Sequence, residues 1–237
     1  MLILGIETST GQSSVALVGP DGVVASASLG VARRHGEFVA PAVQFCLRQA
    51  GVGADRVTGV TVGLGPGLYT GLRVGIATAQ AFAAARDLPV VGMSGLDVIA
   101  FRVRHVRRLI GAVIDARRGE LFWALYRAVP GGVQRQTDLR VGTAEQFAAE
   151  IEATGEECLV IGDGLSRARD ELERVGVHEA DTFAAVPDAA HLAELARPRF
   201  EREETQRPAG LLPIYLRHAD AKIGWEARGR MQGGAAT

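Results

Sequence analysis

Gly63-Leu64-Gly65-Pro66-Gly67-Leu68-Tyr69-Thr70-Gly71-Leu72-Arg73 is the stretch whose reading decides the fold of this chain. Val57 to Val62 before it is apolar and β-branched, and Gly71 to Arg86 after it is Ala-rich with helical composition. The order is therefore strand, glycine-dense turn, helix. Such a turn aims backbone N–H groups and a helix N-terminus at one place. Its glycines allow positive φ and close approach, and Pro66 fixes one φ between two of them. Two readings stay open at this point: a cradle for a phosphate, and a tight turn that only packs a helix on a sheet.

Working outward, a pattern occurs twice. In the first copy Leu2–Ile6, Ser14–Val18 and Val23–Leu29 read as strands. Glu7-Thr8-Ser9-Thr10-Gly11-Gln12-Ser13 breaks the first from the second, and Gly19-Pro20-Asp21-Gly22 is a hairpin turn. A helix over Glu37–Ala50 follows, then the fourth strand, the glycine turn, the Ala-rich helix and a fifth strand at Leu88–Gly92. Ser94 is placed to cap a helix through Leu96, Val98, Ile99 and Val103. The second copy starts with a strand at Leu109–Ile114 that ends in Asp115. Strands at Glu120–Ala128 and Val133–Val141, a helix capped by Thr143, a strand at Leu159–Ile161 and the turn Gly162-Asp163-Gly164 come next. A helix over Leu165–Val175 closes the copy. We read two related α/β lobes, residues 1–105 and a reduced one at 106–223, with 224–237 as a mobile tail. Arg197–Pro208 reads as a surface helix end or linker, and Pro213–Arg217 as an extended segment docking back on the body.

Composition bounds the function. With 237 residues, 47% of them hydrophobic, the chain can bury a substantial core. A net charge of −1 gives no global field to hold nucleic acid. Lys222 is the only lysine, so arginine carries nearly all positive charge. Cys46 and Cys158 form no C-x-x-C pair and fit a reducing compartment; with no signal peptide, a cytoplasmic location is expected. There is no G-x-x-x-x-G-K-[ST], no G-x-S-x-G and no H-E-x-x-H, and the five histidines are scattered.

Three features carry possible chemistry. Glu7 with the hydroxyls of Thr8, Ser9 and Thr10 can hold a hydrated Mg²⁺ or contact a phosphate, or the hydroxyls can simply close a turn. Together with Gly65, Gly67 and Asp115 these are the candidate nucleotide or phosphate residues. Asp115 beside Arg117 and Arg118 reads more readily as a structural ion pair. Arg102, Arg104, His105, Arg107 and Arg108 form a basic cluster, either a solvated rim or a patch for RNA phosphate or an acidic partner. The Glu37–Ala50 helix has a wider apolar face than one core-facing stripe needs, which suggests a protein interface or a helix held between two layers.

Several of these segments resemble the bacterial TsaB (YeaZ) family: Ile6-Glu7-Thr8-Ser9-Thr10, the loop holding His35, the run Val62–Gly75, Asp115-Ala116-Arg117-Arg118-Gly119-Glu120 and Pro213-Ile214-Tyr215-Leu216-Arg217. The resemblance implies two tandem RNase H-like lobes of the actin, Hsp70 and sugar-kinase kind. It implies a role in forming N6-threonylcarbamoyladenosine in tRNA as a non-catalytic scaffold without cofactor or metal. The implied partners are a catalytic homologue, TsaD, and an ATPase, TsaE, with tRNA engaged through the complex and a homodimer formed alone. The catalytic relatives carry N-H-L-E-G-H where this chain has Ser94-Gly95-Leu96-Asp97-Val98-Ile99, so both metal-binding histidines are missing. Where the family usually has Asp, this chain has Glu7. The expected interface residues are Phe38, Val39, Ala42, Val43 and Cys46 on one helix, with Pro66, Leu68, Tyr69, Thr70, Leu72 and Arg73 at the glycine turn and the next helix. The rival expectation is a phosphotransferase with Glu7, Thr8–Thr10 and Asp115 around Mg-ATP, or a peptidase-like binding module without activity.

Overall fold

The structure is a computed structural model, and it describes residues 1–31, 34–178 and 181–217. Its first half holds β1 (Ile3–Glu7), β2 (Ser13–Gly19), β3 (Gly22–Leu29), α1 (His35–Gln49), β4 (Gly59–Gly63), α2 (Tyr69–Ala84), β5 (Val90–Met93) and α3 (Gly95–Arg102). The second half holds β6 (Leu109–Arg117), β7 (Glu120–Val129), β8 (Gly132–Arg135), β9 (Arg140–Gly142), α4 (Ala144–Thr154), β10 (Cys158–Ile161), α5 (Leu165–Arg174), β11 (Thr182–Phe183) and α6 (Ala189–Glu201). The first sheet runs β3-β2-β1-β4-β5, and the second runs β8-β7-β6-β10-β11 with β9 also on β7. In each, a three-stranded antiparallel meander continues into parallel strands. This is the RNase H-like order, present in tandem, as the doubled sequence pattern predicts.

The central strands read as unbroken apolar runs because both faces of each sheet are covered there, while the edge strands β3 and β8 stay largely open to solvent. On the first sheet Leu4, Ile6, Val15, Leu17, Val60 and Val62 meet α1 and α2. The other face, with Ile3, Ala16, Val18 and Val91, meets α6 through Leu192, Ala193, Ala196 and Phe200. On the second sheet Leu109, Val113, Leu121, Leu125 and Val160 meet α4 and α5. Its inner face, with Ile110, Ala112, Ile114, Phe122 and Tyr126, meets α3. The layers are thus α1/α2, sheet, α6/α3, sheet, α4/α5.

The middle layer departs from the sequence reading. Helix α3 follows the first sheet but packs mainly on the second, and α6 follows the second sheet but packs on the first. Residues 106–223 are therefore not one self-contained lobe: after Phe183 the chain returns to the first half. It stays there, since Gln206 bridges to Val90, Leu211 is buried in the first core, and the Ile214 N–H donates to the Leu64 carbonyl at 2.8 Å. Gly5 lets this helix approach, because a Cβ there would collide with the Ala189 carbonyl. Of Arg197–Pro208, the first part is the last turn of α6, with Phe200 buried over Gly59. The expected single strand Val133–Val141 is two short ones, since the Leu125 N–H is taken by the Thr137 hydroxyl and the ladder breaks. The expected tail 224–237 lies outside the described residues.

Candidate functional site

The Glu7–Thr10 loop sits where β1 ends, beside the glycine turn that follows β4. All four residues are buried, none more than 2% exposed. The turn is pressed onto the loop. The Leu68 N–H donates to the Ser9 carbonyl at 2.7 Å, and the Thr8 hydroxyl donates to the Gly71 carbonyl at 2.8 Å. A Cβ on Gly67 would overlap the Ser9 carbonyl, one on Gly71 the Thr8 carbonyl, and one on Gly63 the Glu7 carboxylate. The glycines of this motif therefore serve close backbone approach within the protein. Gly65 lies in the same turn, with positive φ and a cis bond to Pro66. The space that a phosphate cradle needs is filled by Thr8 and Ser9. His35, also buried, meets the Ser13 hydroxyl through Nδ1 at 2.6 Å.

Glu7 is held on one side only. Its Oε1 accepts the Ser9 N–H at 2.6 Å, while Oε2 is buried without a partner, as is the Ser9 hydroxyl. Burial pushes the Glu7 carboxyl above its ordinary value near 4.5, against the pull of the Ser9 N–H. A carboxyl raised on folding stabilises least where it is ionised in the unfolded chain. Wild-type stability should then fall by up to about 1.4 kcal/mol per pH unit above the ordinary value, until the folded group itself ionises. Glu7→Gln removes this term, so in urea titrations its stability relative to wild type should grow as pH rises above about 4.5 and level off once the folded Glu7 ionises. Parallel pH curves for the two proteins would refute the assignment.

Asp115 is engaged in ion pairs and hydrogen bonds of its own. It lies in β6, which continues to Arg117, and its carboxylate accepts from the Arg117 N–H at 2.8 Å and from Arg167 Nε at 2.8 Å. Its own N–H donates to Asp163 at 3.0 Å. This is an ion-paired brace for the Arg118-Gly119 hairpin and the start of α5.

The interface residues expected from the sequence divide by burial. Val39, Ala42, Val43 and Cys46 point into the first core, and Leu72 and Pro66 are buried too. They support the helices, and of them Ala42 alone also reaches the wall of the hollow on the outer side of α1. Helix α1 turns that stripe to its own sheet, so its outer side keeps Phe38, Pro41 and Phe45, with Phe45 41% exposed. With Ala27 and Leu29 of β3 they line an open apolar hollow of about 410 Å³. Tyr69, Thr70 and Arg73 are exposed at the start of α2, with Leu68 half-buried.

A second concavity, about 610 Å³, opens between the two halves. Tyr69 stacks on Tyr215 with ring centroids 5.6 Å apart, and the Arg73 guanidinium lies 4.1 Å from the Tyr69 ring. Arg117, Arg118 and Phe122 line the far wall, and Arg217 ties the terminal strap to the Ala116 carbonyl and to Glu120. An aromatic shelf beside guanidinium groups suits an anion carrying a planar group. The sequence signalled that Pro213–Arg217 docks, but not the Tyr69–Tyr215 contact, which joins residues far apart in the chain. Among the described residues no group of three or more His, Cys, Asp and Glu could hold a metal ion, and no helix is long and apolar enough to cross a membrane.

Comparison with known proteins places this geometry. A family profile described as TsaD, tRNA N6-adenosine threonylcarbamoyltransferase, matches residues 21–225. The tRNA threonylcarbamoyladenosine biosynthesis protein TsaB of Escherichia coli K12 is 30% identical over 230 residues, 95% of this chain and 97% of that one. TsaB of Bacillus subtilis 168 is 28% identical over 225 residues, 95% and 98% of the two chains. A crystal structure of a Pseudomonas aeruginosa protein with similarity to the peptidase YeaZ superposes with a TM-score of 0.79 at 29% identity, covering 91% of this chain and 99% of that one. With the tandem RNase H-like topology, these likenesses show that the chain belongs to the TsaB (YeaZ) family of tRNA threonylcarbamoyladenosine biosynthesis proteins.

Proposed function

We propose that this chain acts in tRNA threonylcarbamoyladenosine formation as a non-catalytic docking subunit, pairing with a TsaD-like catalytic homologue that a TsaE-like ATPase joins. Alone it forms a homodimer through the same surface, and tRNA is engaged through the complex in the cytoplasm. ATP is consumed by the complex, and this chain brings no cofactor of its own.

The observation that carries this reading is the apolar hollow of α1 and β3. Pro41 and Phe45 remain outward after α1 has satisfied its own sheet, with Phe38 half-buried between that core and the hollow, and an exposed apolar concavity of this kind marks a protein interface. The non-catalytic part is supported by α3, where Gly95 and Ile99, both buried in packing, stand in place of the metal-binding histidines of the catalytic relatives. It is also supported by the filled glycine turn, which leaves Glu7 and the Thr8–Thr10 hydroxyls out of reach of a substrate.

Because Val43 is buried, an aspartate there would damage the lobe itself; the informative variants are Phe45→Asp and Phe38→Asp. Phe45→Asp should fold normally and weaken association by about 2 kcal/mol, roughly 30-fold in Kd. Sedimentation would read the homodimer, and reconstituted modification with the catalytic homologue, the ATPase and the adenylate donor would read function. Modification that proceeds equally well without this chain, or association untouched by both variants, would overturn the proposal.

A further inference from the structure

The basic cluster after α3 forms a groove that neither the docking face nor the interlobe cleft uses. Its walls are the Arg104–Arg107 loop and the Arg127–Gly131 turn between β7 and β8, and it encloses about 500 Å³. It lies at the opposite end of β6 from the Arg117–Arg118 hairpin, about 25 Å away along a nine-residue strand.

The cluster's charges are not equivalent. Arg108 is paired with Asp181, Arg102 faces Asp188 at 3.9 Å, and Arg127 holds Glu156 through contacts of 2.5 and 2.6 Å. These three are neutralised within the fold. Arg104 and Arg107 have no carboxylate partner among the described residues, and no carboxylate lines the groove. Arg104 is also preordered: its guanidinium lies 4.0 Å from the Phe101 ring and donates to the Phe101 carbonyl at 3.1 Å. A guanidinium fixed by stacking loses little entropy on binding an anion. His105 adds an exposed ring beside it.

We infer that this groove is a phosphate-contacting surface for the RNA backbone, with Arg104 and Arg107 as its contact residues. A protein partner would call for an apolar centre within the patch. None of the large exposed apolar side chains of the described residues, such as Phe45, Tyr69 or Phe183, lines this groove. The apolar part of its wall is Val106, Ala128, Val129 and Pro130, small side chains with no aromatic or long aliphatic anchor among them. Two guanidinium groups without carboxylate partners beside such a wall fit a polyanion. Choosing RNA among polyanions rests on membership of a tRNA-modification family, and is independent of the docking reading. On this inference the chain itself touches tRNA, at a place left free when α1 is covered.

The test is fluorescence anisotropy of the full-length chain alone with labelled tRNA, between about 50 and 200 mM salt. Using no partner subunit keeps its failure separate from failure of the docking proposal. Arg104→Ala with Arg107→Ala should weaken binding about tenfold and reduce the salt slope by close to 2, about 0.9 for each lost contact. Arg56→Ala with Arg86→Ala, which removes the same charge from exposed positions elsewhere, should do far less. Arg107→Glu, which replaces a side chain with no partner among the described residues, repeats the test should Arg104→Ala disturb the loop. Absent tRNA binding by wild type, an unchanged slope in the groove variants, or an equal loss in the control pair would each overturn the inference. Equal or tighter binding to poly-glutamate would overturn it in favour of an acidic protein partner.

Discussion

Gly67→Ala should destabilise the protein by about 3 kcal/mol, a drop of about 6–12 °C in Tm for a chain of this size. The added methyl has no free direction. It would overlap the Ser9 carbonyl oxygen, with 2.8 Å left to the carbonyl carbon and 3.0 Å to the Ser9 Cβ. Relief requires the turn to lift from the β1–β2 loop, which breaks the bond from the Leu68 N–H to the Ser9 carbonyl and uncovers Thr8 and Ser9. The neighbours are backbone of buried residues, so no flexible side chain can yield. Gly36→Ala is the matched control: it sits in the first turn of α1 with nothing within 4 Å of the new methyl. It should be neutral or stabilising by about 0.5 kcal/mol, because alanine restricts the unfolded chain. Scanning calorimetry of the two variants separates loss of close approach from a general glycine effect. A melting temperature for Gly67→Ala within a degree or two of wild type would show that the turn is not locked to the loop, and the phosphate-cradle reading would regain its ground.

The same turn shows what a sequence exposes and what it conceals. The order of strand, glycines and helix was legible because local composition decides it, and Val57–Val62 and the Ala-rich run could hardly be read otherwise. What the glycines face was not legible, because a φ-permissive turn accommodates a ligand and a neighbouring backbone equally well. The α1 stripe behaved alike. Its spacing gave a helix with Val39, Val43 and Cys46 on one side, but spacing cannot say whether that side meets the chain's own sheet or a partner. The surface belongs to Phe45, with Phe38 half-buried at its edge, both of which read in the sequence as the widening of the stripe. Of helix α6 the sequence shows a surface helix end at Arg197 but not its packing, for a different reason. Arg197 and Pro198 interrupt an apolar pattern of Leu192, Ala193, Ala196 and Phe200, and nothing local tells that this helix crosses back to the first sheet. The doubled pattern survived because the central strands of each sheet are buried on both faces, which makes β1, β2 and β4, and β6 and β10, apolar along most of their length.

The crossing of α3 and α6 makes the two halves mutually dependent, and the polar contact that fixes α3 is a place to measure this. Asp97 projects from α3 to the second sheet, where it accepts the Tyr126 hydroxyl at 2.9 Å and binds Arg135 through both oxygens, at 2.7 and 2.9 Å. Tyr126 is fully buried, and burial followed by the Asp97 charge holds its phenol well above the usual value, so it remains a donor. Asp97→Ala leaves that hydroxyl without an acceptor in the interior and strands Arg135 at the rim. The expected cost is about 2–3 kcal/mol, tempered because Arg135 is 37% exposed and solvent can take up part of its charge. Tyr126→Phe removes donor and desolvation cost together and should lose only about 1 kcal/mol. The double variant should then lose less than the sum of the two, because the buried orphan no longer exists. Hydrogen exchange gives the spatial readout: in Asp97→Ala the amides of α3 and β8 should open well before those of β1 and β4. Additive losses, or protection falling uniformly over the whole chain, would mean that apolar packing of Leu96, Ile99 and Ala100 holds α3 without help. In that case the angle between the halves would be set by the α3 and α6 packing surfaces alone.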